Sequence, residues 1–329
     1  MRMKVCVFGA GAIGGHFAAR LSAAKLAEVS VVARGAQLEA IRTRGLTLKS
    51  GAEEIHAMPA HATDDPASLP PQDVLVVTMK GYTLPPLADT FARLLAPTGA
   101  ALFCLNGIPW WWRFGSKGPQ THLPLLDPDG ALWSILRERT LGCVMYSPND
   151  VLEPGVILHA GGNRYVMGEP NDKASERVRA IVDLFSNSGL PSEVSPDLRA
   201  EIWRKLSSNV SSNPLAALTR LGAGAISSDD GLRTLSTALK DETLAVAAAL
   251  GWDLRNELAG EKPSRRPAAT GPGSRASMLQ DVLRGRGVEV EAHLGQTQAF
   301  AREAGVPVPH IDVVLAILRG LDRALRASG

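Results

Sequence analysis

The sequence predicts an α/β N-terminal domain on a mostly parallel sheet, followed by an all-α C-terminal domain, and three observations carry that prediction. Residues 4–8, an apolar run of strand length, pass straight into Gly9-Ala10-Gly11-Ala12-Ile13-Gly14 and a helix-like stretch over 15–25. Further apolar runs then alternate with helical patterns, which is how a parallel sheet covered by helices reads. Beyond Ser195 the strand signal nearly vanishes, and Ala, Leu, Arg and Glu recur with a period of about 3.6 residues.

Taken in order, 29–33 supplies the second strand of a βαβ unit. Runs of buried-strand type at 74–79 and 100–105 flank a helical pattern at 86–95. Shorter β-like pieces at 141–146, 156–159 and 165–167 precede a helix over 174–188 and a last strand over 190–194. The first domain is therefore placed at 1–195. Pro196 suits a first helical turn and opens the second domain, 196–329, with a long helix over 197–218. One interruption, 262–275, gathers three prolines, two glycines and four basic residues and reads as a mobile loop. Helices are expected to begin again at Ser277 and Glu289.

Composition removes several classes of function. A chain of 329 residues exceeds what one core usually serves, and 45% apolar with 21% charged residues is the balance of a globular protein. Thirty-five basic and thirty-three acidic side chains leave a charge of +2, too little to hold nucleic acid or an anionic membrane surface. Cys6, Cys104 and Cys143 are odd in number, lack a CxxC and sit among apolar neighbours, so they read as small buried hydrophobes in a reducing compartment. The uncharged run 94–112 contains Pro97, Gly99, Asn106, Gly107 and Pro109, which would break a lipid-exposed helix, so it is expected as strand and loop. The N-terminus is too short and too glycine-interrupted for a secretory signal, which makes the cytoplasm the expected location. The seven histidines, His16, His56, His61, His122, His159, His293 and His310, show no ligand spacing, so no metal is expected.

Chemistry enters at the first turn. Gly9 permits a tight turn, Gly11 lets a pyrophosphate approach the backbone and Gly14 lets the helix pack closely. The N–H groups of the opening turn, including those of Ala12 and Ile13, supply positive potential. With a strand before and a helix after, this is a Rossmann-type dinucleotide-binding start. Cofactor choice is made at the end of the second strand, where an NAD enzyme places Asp or Glu; here stands Arg34, whose guanidinium can grip a 2′-phosphate, so NADP is favoured over an ordinary surface role. Lys80 ends the 74–79 run, either adding positive charge near the phosphates or standing as a solvated loop lysine. Asn106 with Gly107 ends the next run and reads equally as a substrate-facing amide or a turn.

In the second domain Lys205, Asn209 and Asn213 recur at i, i+4 and i+8, putting an ammonium and two amides on one helix face beside the apolar stripe of Ile202, Leu206 and Val210. A merely solvated face is richer in Glu and Lys than in Asn, a mediocre helix former. Pro214 is expected to kink the helix at Asn213. Ser277 and Glu289, taken alone, look like ordinary helix-start residues.

In this order the GAGAIGG start, VVTMK with Lys80, LNG with Asn106, EPGVILHAGG, RAEIWRKLSSNVSSNPLAAL and SMLQDV followed by VEVEA resemble the ketopantoate reductase family over nearly the whole chain. The lysine helix and the SMLQD segment are the specific parts. The resemblance implies NADPH-dependent reduction of 2-dehydropantoate to pantoate, with Lys205 as general acid and Glu289 as its catalytic-site glutamate. It assigns Asn106, Asn209, Asn213 and Ser277 to substrate, Asn106 also to the nicotinamide amide, and Arg34 and Lys80 to the NADP phosphates. It further implies substrate binding between the domains, with the 262–275 loop as a moving part, and a homodimer. The chain departs from the family pattern at Trp110, Trp111 and Trp112, in a longer segment before Gly142, and at His293 and Leu294, where apolar and asparagine residues are expected. Three consecutive tryptophans on a helix cannot all face one core, so at least one is expected to meet a substrate, a lid or another subunit, the alternatives being a pocket wall, an interface or packing under the insertion, and plain exposure. That motivates a rival reading, the same hydride transfer on a bulkier 2-oxo acid. A non-catalytic NADP sensor is the third reading, opposed by the joint presence of Lys205, Asn209, Ser277 and Glu289.

Overall fold

In the computed structural model, which describes residues 2–259 and 275–328, the N-terminal apolar run forms strand β1 (Met3–Phe8), its last four residues buried. Then follow α1 (Ala12–Ala24), β2 (Ala27–Val32), α2 (Gly35–Arg44), β3 (Leu46–Ser50), β4 (Glu53–Ala57), β5 (His61–Thr63) and β6 (Gln72–Val77). The unit continues through α3 (Ala88–Leu94), β7 (Leu95–Cys104), α4 (Ala131–Leu136), β8 (Thr140–Tyr146), β9 (Asn149–Glu153), β10 (Val156–His159) and β11 (Arg164–Gly168), and closes with α5 (Glu176–Asn187) and β12 (Ser192–Val194).

Eight strands make one sheet in the order β12-β11-β8-β7-β6-β1-β2-β5, parallel throughout except where β11 runs against β8. Side chains alternate across it, and both faces are apolar, as a sheet covered on both sides requires. Val5, Val7, Val29, Val31, Val74 and Val76 belong to one buried cluster with Phe17 of α1 and Phe185 of α5, whose rings meet edge-on at 5.3 Å. On the alternate positions Phe8, Phe91, Phe103 and Trp110 form a chain of T-shaped contacts at 5.0, 6.3 and 5.2 Å. This is the Rossmann-type α/β arrangement that the sequence predicted.

A second sheet, β4-β3-β10-β9, was not foreseen, although its strand β10 coincides with the piece expected at 156–159. It packs on α1, where Gly15 makes room for Ile157: a Cβ there would lie 2.6 Å from the isoleucine Cδ1. Its β3–β4 hairpin buries only Leu46 and Leu48 and otherwise carries polar residues, so its apolar alternation is too short to stand out.

Of the alternatives for the tryptophans, the structure shows packing. Trp110, Trp111 and Trp112 are all buried, each 4% exposed or less, because they lie in consecutive turns rather than on a helix. The helical geometry that would have forced one outward does not apply. Trp110 extends the phenylalanine chain. Gly142 stands beside Phe103 in register on β8, and its missing side chain admits the Trp111 ring; a Cβ would come within 2.3 Å of it.

The helical unit comprises α6 (Leu198–Thr219), α7 (Ala223–Ser228), α8 (Asp230–Ala249), α9 (Arg255–Ala259), α10 (Ser277–Leu283), a π-helical turn at Glu291–Gly295, α11 (Gln296–Ala304) and α12 (Pro309–Ser328), with no strand among the described residues. α6 continues through Pro214 to Thr219. α8 packs against α11 and α12, and its Glu242 carboxylate accepts from the N–H groups of His310 (3.0 Å) and Ile311 (2.9 Å), satisfying donors that a helix start leaves open. The expected helix at Glu289 begins one residue later, and all but Arg275 of the expected loop at 262–275 lies outside the described residues.

The chain packs as two units, Met1–Leu105 with Trp110–Leu198, and Asn106–Pro109 with Arg199–Gly329. The single cut after Ser195 is therefore moved by three residues, and a four-residue loop changes sides. The loop is held in the helical unit by the Ile108 N–H, which donates to the Ala292 carbonyl at 2.7 Å. Among the described residues no helix is long and apolar enough to cross a membrane.

Candidate functional site

In the sheet unit the candidate residues follow the C-terminal ends of adjacent parallel strands. The chain leaves β1 for β2 on one side and later returns to β6 on the other, so β1 marks the switch point at which open α/β sheets bind ligands. Gly9 has φ +100°, a conformation that favours glycine. A Cβ on Gly14 would lie 1.9 Å from the Gly9 carbonyl oxygen and 2.4 Å from Thr78 Oγ1, so only glycine lets α1 start this close to the turn. Gly11 is the opposite case: a Cβ there would meet nothing within 4 Å, and the space above the backbone is open. The first intrahelical bond runs from Gly15 N–H to the Gly11 carbonyl (2.7 Å), so the N–H groups of Ala12, Ile13 and Gly14 precede it. Open space over a helix start with forward-facing donors fits a pyrophosphate.

Two residues that support this loop escaped the sequence reading. Thr78 donates its hydroxyl proton to the Gly9 carbonyl at 2.5 Å. Gln37 donates to the Ala10 carbonyl at 2.8 Å and accepts from the Gly155 N–H at 3.0 Å, tying the loop to the β9–β10 turn. Thr78 lies in the VVTMK segment, but its role, like that of Gln37, depends on where α2 and β6 pack. Arg34 lies two residues beyond β2, exposed, at the N-terminal boundary of α2. Lys80 lies three residues beyond β6, half-buried, and its carbonyl accepts from the Thr83 N–H at 2.9 Å.

In the helical unit the central observation is a hydrogen bond. Lys205 Nζ donates to Asn106 Oδ1 at 2.7 Å, joining residues 99 apart in sequence. Both are half-buried. Gly107, at φ +76°, lets the loop press against the Ala292 carbonyl, where a Cβ would come within 2.3 Å of the oxygen. Along α6 Asn209 is half-buried and Asn213 is 6% exposed, on the face that Lys205 begins. Ile202, Trp203, Leu206 and Val210 are buried and anchor the helix. Ser277 is the first residue of α10, and Glu289 is 6% exposed just ahead of the helical turn that contains His293. His293 is fully buried and bonded through Nδ1 to the Glu289 carbonyl at 2.9 Å, which accounts for a polar residue at this apolar position.

Away from these positions Cys6, Cys104 and Cys143 are buried and form no disulfide; burial pushes the Cys6 thiol up to about 12, which keeps it inert. His16 of α1 is fully buried against His159, ring centroids 4.6 Å apart. Burial foremost, then His159 and Arg20, push its pKa down to about 3, against a smaller opposing effect from Asn149. Among the described residues no cluster of three or more His, Cys, Asp or Glu could hold a metal ion.

Comparison with known proteins adds the following. Residues 5–172 match the family model described as ketopantoate reductase PanE/ApbA, and residues 197–322 match its C-terminal counterpart. A 2-dehydropantoate 2-reductase of Mesorhizobium japonicum is 39% identical over 322 residues, covering 97% of this chain and 98% of the relative. Among solved structures, a provisionally named ketopantoate reductase from Ralstonia solanacearum MolK2 superposes with a TM-score of 0.86 at 32% identity, covering 99% of each chain. A D-mandelate dehydrogenase in ternary complex with NADH and anilino(oxo)acetate shares the fold, with a TM-score of 0.80 at 18% identity over 98% of this chain and 100% of that one.

Proposed function

The chain belongs to the ketopantoate reductase family, an oxidoreductase acting on a CH–OH group, and from that premise we propose that it reduces a 2-oxo acid to the 2-hydroxy acid with NADPH, 2-dehydropantoate being the foremost substrate. The observation that carries this reading is the 2.7 Å bond between Lys205 Nζ and Asn106 Oδ1. A bound reduced nicotinamide supplies the hydride. The remaining requirement belongs to the protein: the ketone carbon gains hydride, its oxygen gains negative charge, and a proton must arrive there. A lysine ammonium stabilises that charge and delivers the proton, ending as the neutral amine, and such a general acid commonly contributes about 10²–10⁴-fold. The Asn106 amide oxygen accepts one of the three ammonium hydrogens and so orients the rest, because an amide oxygen favours the charged amine.

Asn209 and Asn213 extend the same helix face and offer amides to the substrate, Ser277 a hydroxyl to its carboxylate, and Glu289 a carboxylate to a substrate hydroxyl or to the lysine. Gly9, Gly11, Ala12, Ile13 and Gly14 hold the pyrophosphate, and Arg34 and Lys80 hold the 2′-phosphate side. Each packed unit thus brings one half of the chemistry, the first as nucleotide-binding domain and the second as substrate domain, in an enzyme of the cytoplasm. The tryptophans that motivated a bulkier substrate are engaged in packing the sheet unit, so they no longer favour that alternative.

The test is NADPH oxidation across a panel of 2-oxo acids. Turnover of 2-dehydropantoate above that of larger, aromatic oxo acids is expected; the reverse order would replace the substrate while leaving the reaction class. In parallel Lys205→Ala is expected to bind NADPH normally and to lose about 10²–10⁴-fold in kcat. Wild-type turnover by that variant would remove Lys205 from the mechanism.

A further inference from the structure

The π-helical turn at Glu291–Gly295 is a rare conformation, and such turns concentrate at functional sites. Here its cause is visible. Arg319 of α12 grips the Glu291 carboxylate with two parallel bonds, Nε to Oε1 at 2.8 Å and Nη2 to Oε2 at 2.7 Å. The carboxylate folds back over Gly295 so closely that a Cβ there would lie 2.0 Å from Oε2. Asp322, also on α12, accepts from the Val288 N–H at 2.8 Å and pins the start of the same segment. From α11, Thr297 Oγ1 donates back to the His293 carbonyl of the turn at 2.5 Å. The turn then presents the Ala292 carbonyl to the loop that carries Asn106. It receives the Ile108 N–H at 2.7 Å, while Gly107 packs against it where no side chain would fit.

We propose that Glu291 and Arg319 are positioning residues for the reduction: their ion pair holds the π-helical turn, the turn holds the Asn106–Pro109 loop through Ala292, and the loop holds the amide that fixes the Lys205 ammonium. The inference rests on the reading of Lys205 as general acid. The pair is partly exposed, and exposed ion pairs contribute little to global stability, so its bidentate geometry points to placement rather than strength. The effect passes through three contacts, Glu291 with Arg319, Ala292 with Ile108, and Asn106 with Lys205.

The experiment is an NMR titration of Lys205 in the full chain, lysine-labelled with ¹³C at Cε and assigned with Lys205→Arg, for wild type, Arg319→Met, Arg319→Lys and Gly107→Ala. Loss of an accepting amide disfavours the ammonium. Arg319→Met is therefore expected to lower the Lys205 pKa by about half a pH unit or more with Tm nearly unchanged, Arg319→Lys to restore most of it, and Gly107→Ala to reproduce the decrease from the other side of the contact. On whichever oxo acid is turned over, Arg319→Met should lose about tenfold in kcat with KM for NADPH unchanged, and the alkaline limb of its pH profile should move to lower pH. A Lys205 titration identical to wild type in both Arg319→Met and Gly107→Ala would overturn the proposal. So would a fall in Tm without movement of that titration, which would assign the pair a purely structural role. If Lys205→Ala retains turnover the general-acid reading fails; if Lys205→Ala is inactive and Arg319→Met is wild type, only the positioning role fails.

Discussion

Asn106 is short, uncharged and followed by a glycine, and nothing in its local sequence separates a turn from a site residue. The structure adds its partner: the amide oxygen accepts from Lys205, and the adjacent Gly107 is required for close approach to Ala292. Arg34 offers the complementary case, since its exposure at the boundary of α2 leaves the guanidinium available to a ligand. Arg34→Asp is expected to weaken NADPH binding by about 10–100-fold, the magnitude of one or two lost charge-assisted hydrogen bonds, with a much smaller effect on NADH. Calorimetric titration with both nucleotides checks this, and equal losses would contradict the assigned contact. The row Lys205, Asn209, Asn213 was readable because helical periodicity alone puts i, i+4 and i+8 together. The bond to Asn106 was not, since no local pattern links positions 99 residues apart.

Among elements, the ones predicted well are those whose pattern is long or fully apolar: β1, α1, β6, α5 and α6 lie within three residues of their expected bounds, while β7 ends as expected to within one residue but starts five earlier. In the second sheet β10 lies where the 156–159 piece was expected, but β3, β4 and β9 were missed because they are short and half-exposed. In the tryptophan segment one ring would have to face outward only on a helix, and the segment is not helical. In turns each can bury separately, provided the sheet leaves a hole, and Gly142 is that hole. Gly142→Ala is accordingly expected to destabilise the protein by about 1–3 kcal/mol through overpacking against Trp111. Chemical denaturation checks it: an unchanged midpoint would mean the ring has room to move aside.

For the molecule as a whole, acid stability is set in part by a group with no place in the chemistry. His16 is buried and neutral, its pKa lowered from 6.5 to about 3. The unfolded chain therefore binds the proton first: the group contributes no pH dependence above about 6.5, and stability falls as pH drops from there toward about 3, by about 1.4 kcal/mol per pH unit for this one site. His159 lies against it at 4.6 Å and Arg20 adds repulsion, and the opposing effect of Asn149 is too small to offset burial and these charges. His16→Phe should flatten the acid limb of a stability-against-pH curve relative to wild type, and a parallel limb would show that His16 does not govern it.

From its own composition and periodicity the chain determined two domains, the order of their main elements, the glycine turn and the polar face of α6, because each of these is a local regularity of spacing or residue type. Packing alone decided the second sheet, the burial of three adjacent tryptophans, the transfer of Asn106–Pro109 to the helical unit and the bond from Asn106 to Lys205. Those features depend on which distant side chains share a cavity or a carbonyl, and that is fixed by close contact in three dimensions rather than by any repeat along the chain.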